Sequence, residues 1–487
     1  MRKTLFFLSA AAVVSAPVAL SAQTAVRNLP ARYVQEAQQQ HPAVVQEFGG
    51  ADTGPRGAYV DSVGRRVAAY SGVNPGSYRF TTLNSAVENA FAVPGGYVYI
   101  TRQLMGLMND EAELAFVLGH ETGHVAANHA QARESASQRN AIGGILGAIL
   151  GSVIGGGIGN AIGQLAQTGS QLNTLKFSRA QEYDADRLGI SYMTRAGYDP
   201  AGSSTMLAAL GRATALEARV QGRDSRSTPE WASTHPLSEN RVSQANQMAR
   251  GTGRYGTGLH NRDQFLAQLE GVYVDDDPAQ GMIEGRTFVH PDLRLAFTVP
   301  TGYLMQNGSD AVSIEGSGGQ AQFKTGRFSG NLQAYIQQRL QELTGGRTQV
   351  QIVDNNRTTV NGIPAEYVVG RAQTSNGIVD VSVFAYAFDQ NTAYDFTMLT
   401  RGGQGIGQFA SMVNSLRRIS AQEAAAIRPR VIDVYTVRGG DTVQSLAGRM
   451  AYSNFQAERF LSLNGLPANA RLVPGQKVKL VVFGQRR

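Results

Sequence analysis

The stretch Gly119-His120-Glu121-Thr122-Gly123-His124 holds residue types that bind a metal ion and move a proton. Four positions of an α-helix turn through about 400°, so His120 and His124 leave one face a turn apart and can grip one zinc ion. Glu121 stands about 100° round from His120, close enough to hold a water beside the metal without being a ligand itself. A catalytic zinc takes three protein ligands and keeps one position open, so a further ligand has to come from elsewhere in the chain. His129 is a poor candidate, because a continuous helix would carry it to the face opposite His120, and Ala127 and Ala130 break the longer HExxHxxGxxH pattern. Ser178-Arg179-Ala180-Gln181-Glu182-Tyr183-Asp184-Ala185-Asp186 offers a better source. Glu182 and Asp186 share a helical face there, one carboxylate for the metal and a second for a ligand histidine, whose tautomer it would fix.

Such residues need a rigid frame, and the chain is long enough to build one. Its 487 residues allow two to four domains, and 42% hydrophobic against 17% charged residues gives real cores rather than a disordered chain. Residues 23–265 read mostly as helix: apolar positions recur at helical spacing over 56–70, and a second helix opens at Asp110, where Asp110 and Glu113 form a capping box. Between them 91–101 reads as a strand beside the turn Pro94-Gly95-Gly96. Over 272–420 the texture changes to short alternating runs with helices near 332–343 and 407–417, which predicts a separate α/β domain. Residues 421–433 read as a linker, and 434–482 as a small unit whose first helix is capped by Asp441 and Gln444.

Composition also excludes classes. With no cysteine there is no disulfide scaffold, thiolate zinc site, cysteine nucleophile or lipid-anchored N-terminal cysteine. The formal charge is +7 without a basic block or an aromatic-studded basic stripe, which argues against nucleic acid as a partner. Residues 1–22 carry two positive charges, an interrupted apolar run and small residues at the end, the pattern of a cleaved secretory signal. Export to a bacterial periplasm is therefore expected. The 56 glycines exceed the usual share of about 7%, and they concentrate in the insertion 141–170. Within the uncharged stretch 142–165, glycine recurs at every fourth position from Gly143 to Gly163 beside an aliphatic ridge. That pattern suits a helical hairpin packed on its own domain, contact with a membrane, or pairing with a second copy.

Asn89-Ala90-Phe91-Ala92-Val93-Pro94-Gly95-Gly96, the HExxH helix, the Glu182 to Asp186 segment with the following Ala196-Gly197-Tyr198-Asp199-Pro200, and Ser233-Thr234-His235-Pro236-Leu237-Ser238-Glu239-Asn240-Arg241 occur in that order. Together they resemble the gluzincin zinc metallopeptidases that include the CAAX prenyl endopeptidases, HtpX and the periplasmic BepA-like proteases. The resemblance implies one Zn2+ per chain on His120, His124 and Glu182, with Glu121 as catalytic base and Asp186 behind a ligand. His235 and Arg241 would lie over the site to stabilise an oxyanion or gate access. Asn89, Ala90, Phe91, Ala92 and Val93 would form the edge strand that pairs with substrate backbone. Two departures stand out: Gly123 should weaken the metal helix slightly, and the tetratricopeptide repeats found among BepA-like proteases are not recognisable.

The implied chemistry is hydrolysis of peptide bonds, with zinc lowering the pKa of a water to about 7 and Glu121 carrying the proton to the leaving amine. The C-terminal unit, with Tyr435-Thr436-Val437-Arg438-Gly439-Gly440-Asp441-Thr442 and Leu472-Val473-Pro474-Gly475-Gln476, resembles a βααβ LysM module, which implies contact with peptidoglycan glycan. Phe297-Thr298-Val299-Pro300 with Gly302-Tyr303 resembles PsbP-like α/β folds and carries no assigned chemistry. The expected whole is a multidomain α+β protein: a mainly helical gluzincin peptidase domain with a small substrate-binding sheet, the α/β middle domain, and the LysM-like module. The expected function is zinc-dependent cleavage of misfolded or unfolded envelope proteins. A wall-bound scaffold or chaperone with a vestigial site, and a peptidoglycan peptide hydrolase, stand as alternatives.

Overall fold

The computed structural model describes residues 26–130, 177–220, 235, 239–344, 350–374 and 377–486. The expected signal at 1–22 and the glycine-rich insertion 141–170 lie outside the described residues. The first helices are α1 (Ala31–Glu47) and α2 (Pro55–Ala68), the second opened by Pro55 at a position where a missing N–H is harmless. What reads as one strand over 91–101 is a hairpin. Strands β2 (Ala90–Val93) and β3 (Tyr97–Thr101) run antiparallel around the Pro94-Gly95-Gly96 turn, and β1 (Arg79–Leu83) pairs parallel to β3 on its other side. The order β1-β3-β2 leaves β2 on an edge.

After α3 (Arg102–Leu107) comes α4 (Glu111–Ala126), which carries the HExxH motif. Every residue from Glu111 to Val125 is buried, so this helix runs through the middle of the domain. Its cap is only half of the expected box. Asp110 accepts from the Glu113 N–H, but the Glu113 carboxylate reaches past it to the Asn109 N–H at 2.7 Å. Helix α5 (Arg179–Arg195), opened by a reciprocal Ser178–Gln181 capping box, crosses α4. The crossing is at bare backbone: a Cβ on Gly189 would stand 2.8 Å from the His120 nitrogen, and one on Gly123 3.2 Å from the Leu188 Cβ and 3.3 Å from the Ala185 oxygen. Gly123 therefore does more than weaken its helix; with Gly119 and Gly189 it admits α5 close enough to deliver carboxylates to the imidazoles. Helices α6 (Ala201–Val220), α7 (Glu239–Gly251) and α8 (Arg262–Leu269) complete this part.

Strand β4 (Tyr273–Val274) leads into a region of two sheets. One has β5 (Met282–Glu284), β6 (Thr287–His290) and β7 (Leu295–Thr298), closed by a later short strand at Arg417–Arg418. The other is seven-stranded and antiparallel, formed by β8 (Leu304–Asn307), β9 (Ala311–Gly316), β10 (Gly319–Arg327), β11 (Gln351–Val360), β12 (Ile363–Thr374), β13 (Gly377–Ala387) and β14 (Thr392–Arg401). Helix α9 (Leu332–Thr344) packs on β12 and β13 through Tyr335 and Ile336. The expected helix over 407–417 is shorter, a 3-10 turn followed by α10 (Ala410–Val413).

Residues 421–433 are not a free linker. They hold α11 (Ala421–Ala426), capped by Ser420 and Glu423, and the start of a strand that runs over Arg430–Thr436. That strand pairs with β4 on one side and with Lys477–Phe483 on the other, so the sheet of the C-terminal unit borrows a strand from the chain that leaves α8. The unit's helices are α12 (Val443–Ala447) and α13 (Gln456–Leu463). Thr442 and Ser445, not Asp441 and Gln444, cap α12; Asp441 instead accepts from the Arg438 N–H and the Tyr435 hydroxyl. Ile432 lies in the same hydrophobic core as Leu104 and Met105. Lys479 is wholly buried and donates to the carbonyls of Gly106 and Met108, both at 2.6 Å, where α3 leaves its last acceptors unpaired. Burial pushes its ammonium down to about 7, against the charge of Glu113.

Two outcomes follow from how α4 is held. Gly189→Ala should lower stability by about 1–3 kcal/mol in chemical denaturation, because the added methyl meets backbone rather than a movable side chain. His260 bridges Asp110 (2.7 Å) and Asp199 (3.2 Å), and the hydrogen bond to Asp110, outweighing burial, raises its imidazole from 6.5 to about 9. Its stabilising contribution is thus full below its unfolded pKa and fades as pH rises through 9. A His260→Gln variant should lose more thermal stability relative to the parent at about pH 6 than at about pH 10.

Candidate metal centre

His120 and His124 project from α4 toward Glu182 and Asp186 on α5, and none of the four is more than 4% exposed. His124 Nε2 is 3.0 Å from His120 Nε2, and the Glu182 carboxylate spans them, with Oε2 3.6 Å from His120 Nε2 and Oε1 3.5 Å from His124 Nε2. A tetrahedral zinc with ligands at 2.0–2.1 Å has edges of roughly 3.3–3.4 Å, and the distances among the three donor groups lie within a few tenths of an ångström of that. The donor set, two imidazoles and a carboxylate, is also zinc chemistry. Asp186 Oδ1 is 2.9 Å from His120 Nδ1, so it takes the hydrogen of the nitrogen that faces away from the cluster.

His235 enters the cluster instead of lying above it. Its Nδ1 is 2.9 Å from Glu182 Oε1 and 3.4 Å from His120 Nε2, and with His120, His124 and Glu182 it offers donor atoms all within 4.8 Å of one another. The ring therefore stands where a fourth metal donor would. Its other nitrogen is 3.7 Å from Glu121 Oε1.

Arg241 differs from expectation. Its Nε and Nη2 donate to the two Asp186 oxygens at 2.7 and 2.8 Å, and its Nη1 is 2.9 Å from Glu182 Oε2. The guanidinium braces both carboxylates. Burial works against the charge on Glu182, yet His235, His124 and His120 together hold its carboxyl well below the usual range. Burial likewise opposes ionisation of Asp186, and Arg241 and His120 outweigh it.

Glu121 is in the opposite situation. Burial pushes its carboxyl up to about 8, with Glu182 adding to the shift and His120 opposing it. Its Oε1 has no hydrogen-bond partner among the described residues, and the Ala92 backbone on β2 lies close enough to oppose the shift slightly. The edge strand β2 therefore runs beside Glu121. In its antiparallel pairing with β3, the Asn89–Thr101 pair is hydrogen-bonded, so Ala90 and Ala92 turn their N–H and C=O groups outward, toward the Glu121 side. Asn89, Phe91 and Val93 face their groups to β3.

The structure thus brings together His120, Glu121, His124, Glu182, Asp186, His235 and Arg241, and lays the 89–93 segment alongside. Sequence reasoning missed Phe177, whose ring stacks on His124 with centroids 3.8 Å apart. It also missed the surroundings of His129. That residue is no donor in the cluster, but the reason differs from the expected one: α4 ends at Ala126, and a left-handed Asn128 (φ 53°) turns His129 back against His124. Arg241→Met would strand two buried carboxylates and should cost the metal-free protein about 3–5 kcal/mol in chemical denaturation.

Residues 55–249 match Peptidase family M48, and residues 435–481 match the LysM domain. A beta-barrel assembly-enhancing protease of Yersinia pestis is 31% identical over 224 residues, 45% of this chain and 44% of that one. A mitochondrial metalloendopeptidase of Schizosaccharomyces pombe is 28% identical over 210 residues, 42% of this chain and 58% of that one. The chain therefore spans less than two thirds of the length of these relatives. Among solved structures, a cyanobacterial PsbP from Synechocystis aligns with 28% of this chain and 98% of its own at 9% identity, with a TM-score of 0.23. With the cluster on α4 and α5 inside the first match, the chain carries a metallopeptidase domain of family M48, similar to that of the beta-barrel assembly-enhancing proteases, and a C-terminal LysM domain.

Proposed function

We propose that this protein is a zinc-dependent endopeptidase of the bacterial cell envelope that cleaves unfolded or misfolded envelope proteins. The observation that carries the reading is the convergence of His120, His124 and Glu182 near zinc spacing beside a buried Glu121 whose Oε1 has no hydrogen-bond partner among the described residues. His120, His124 and Glu182 would hold the ion, which when bound supplies a Lewis acid that polarises a carbonyl and makes a water acidic. Glu121, its carboxyl raised by burial, accepts a proton at Oε1 and passes it to the leaving amine. Asp186 fixes the tautomer of His120, and Arg241 keeps Asp186 and Glu182 ionised and aimed.

An extended substrate laid against β2 would bond to the outward groups of Ala90 and Ala92. Main-chain pairing of that kind selects for accessible backbone more than for side-chain identity, which suits unfolded clients. His235, whose ring packs against Glu182 and His120, would have to withdraw to admit substrate beside the residues that would hold the ion, and so would act as the gate. The LysM domain would hold the enzyme near peptidoglycan, in the periplasm where the chain is expected to be exported. Among the described residues no helix is long and apolar enough to cross a membrane.

A second reading draws on the same His235: a metal site with four protein donors is the pattern of a structural site, and would fit a wall-bound scaffold. One comparison separates them. The purified protein should hydrolyse casein in a zinc-dependent way, and Glu121→Gln should retain zinc while losing at least about 100-fold in rate. Undiminished cleavage by that variant would remove Glu121 from its role, and a zinc-loaded parent that never cleaves casein, even as His235→Ala, would leave the scaffold.

A further inference from the structure

The two ligand imidazoles are backed unequally. His120 hands the hydrogen on Nδ1 directly to Asp186, but no carboxylate of α5 reaches the corresponding nitrogen of His124. Asp184 lies two residues from both Glu182 and Asp186, about 200° round the helix, and so leaves α5 on a different side. His129 fills the gap. Its Nδ1 is 3.0 Å from His124 Nδ1, its Nε2 is 3.4 Å from Asp184 Oδ2, and the ring is buried edge-on to His124 with centroids 5.0 Å apart at 74°.

We propose that His129 and Asp184 are positioning residues for the metal, a relay that orients His124 as Asp186 orients His120. The inference rests on the ligand set proposed above. Hydrogen accounting supports it. A metal on His124 Nε2 leaves the hydrogen on Nδ1, so His129 must accept it at Nδ1 and carry its own hydrogen on Nε2, the nitrogen that faces Asp184. One arrangement of hydrogens satisfies every contact and fixes both tautomers.

The surroundings hold this geometry in place. The left-handed Asn128 breaks α4 just beyond the motif and turns the chain back. Gln181, the residue that closes the capping box of α5, donates to the His129 carbonyl at 3.1 Å and so ties the turn to the helix that carries Asp184. Arg187 binds Asp184 Oδ1 at 2.7 and 3.1 Å, leaving Oδ2 for His129. Glu182, Asp184 and Asp186 then have separate tasks: ligand, support of one imidazole through a second, and direct support of the other.

The test is zinc affinity of the full chain, measured by competition with a chromophoric chelator, beside the visible absorption of the cobalt-substituted protein. His129→Ala should raise the zinc dissociation constant about 10–100-fold and shift the cobalt bands, with an unchanged far-ultraviolet circular dichroism spectrum. His129→Gln, whose side-chain oxygen can accept from His124, should recover most of the affinity. Asp184→Asn should weaken zinc by a smaller factor, and combining it with His129→Ala should add nothing further, since Asp184 acts only through His129. Parental zinc affinity in a folded His129→Ala, or an additive double variant, would overturn the relay. If His129→Ala does not fold, parental affinity in both His129→Gln and Asp184→Asn with unshifted cobalt bands does not rescue the proposal but rejects it. A parent that binds no zinc would instead bring down the ligand set, and the relay with it.

Discussion

Charge burial is the constraint around which this domain is arranged. Glu121, Glu182 and Asp186 are almost without solvent exposure, and Arg241 is the cation that touches two of them. Isolated buried carboxylates are costly, and one guanidinium cannot neutralise three. The chain deals with the excess in two ways. Glu121 Oε1 has no hydrogen-bond partner among the described residues and burial pushes its carboxyl up to about 8, while the imidazoles close around Glu182 near the spacing of a divalent ion that would balance the remainder. The same imbalance of buried charge is what the proposed chemistry uses.

To keep such a cluster dry and aligned, helices must meet at short range, and here glycine does that work. Gly119, Gly123 and Gly189 let α4 and α5 touch at backbone, so short Asp and Glu side chains span the gap to the imidazoles. The other end of α4 is anchored by Asp110, His260 and Asp199, and the short helix before it is held by Lys479 reaching in from the C-terminal unit. The LysM domain is thus packed into the peptidase part through Ile432, β4 and Lys479, and its position relative to the metal helix is set by buried contacts.

Much of this was legible in the residues. The i, i+4 pairs His120/His124 and Glu182/Asp186 name their own helical faces, Asp110 and Ser178 sit at the helix starts, and the alternation over 272–420 gives strands where strands occur. The failures are of one kind. Residues 421–433 look like a linker because nothing local reveals that β4 waits to pair with them. Asp441 and Gln444 match a capping box in spacing, but Asp441 is drawn to Tyr435 and Arg438, and Thr442 takes the cap. His129 was placed by extending a helix that a left-handed Asn128 ends.

The amino-acid order alone determined which side chains could bind a metal and on which helical face each lies, because that follows from the fixed rotation of a helix and needs no partner. It left open what each of those groups would meet. Whether Arg241 faces substrate or braces Asp186, whether His235 stands above the cluster or within it, and whether His129 is idle or backs His124 are decided by the crossing of α4 with α5 and the return of the chain at His235. The Arg241–Asp186 and His235–His120 contacts join residues more than fifty positions apart, and the energies of all three depend on burial and direction, which no local pattern carries.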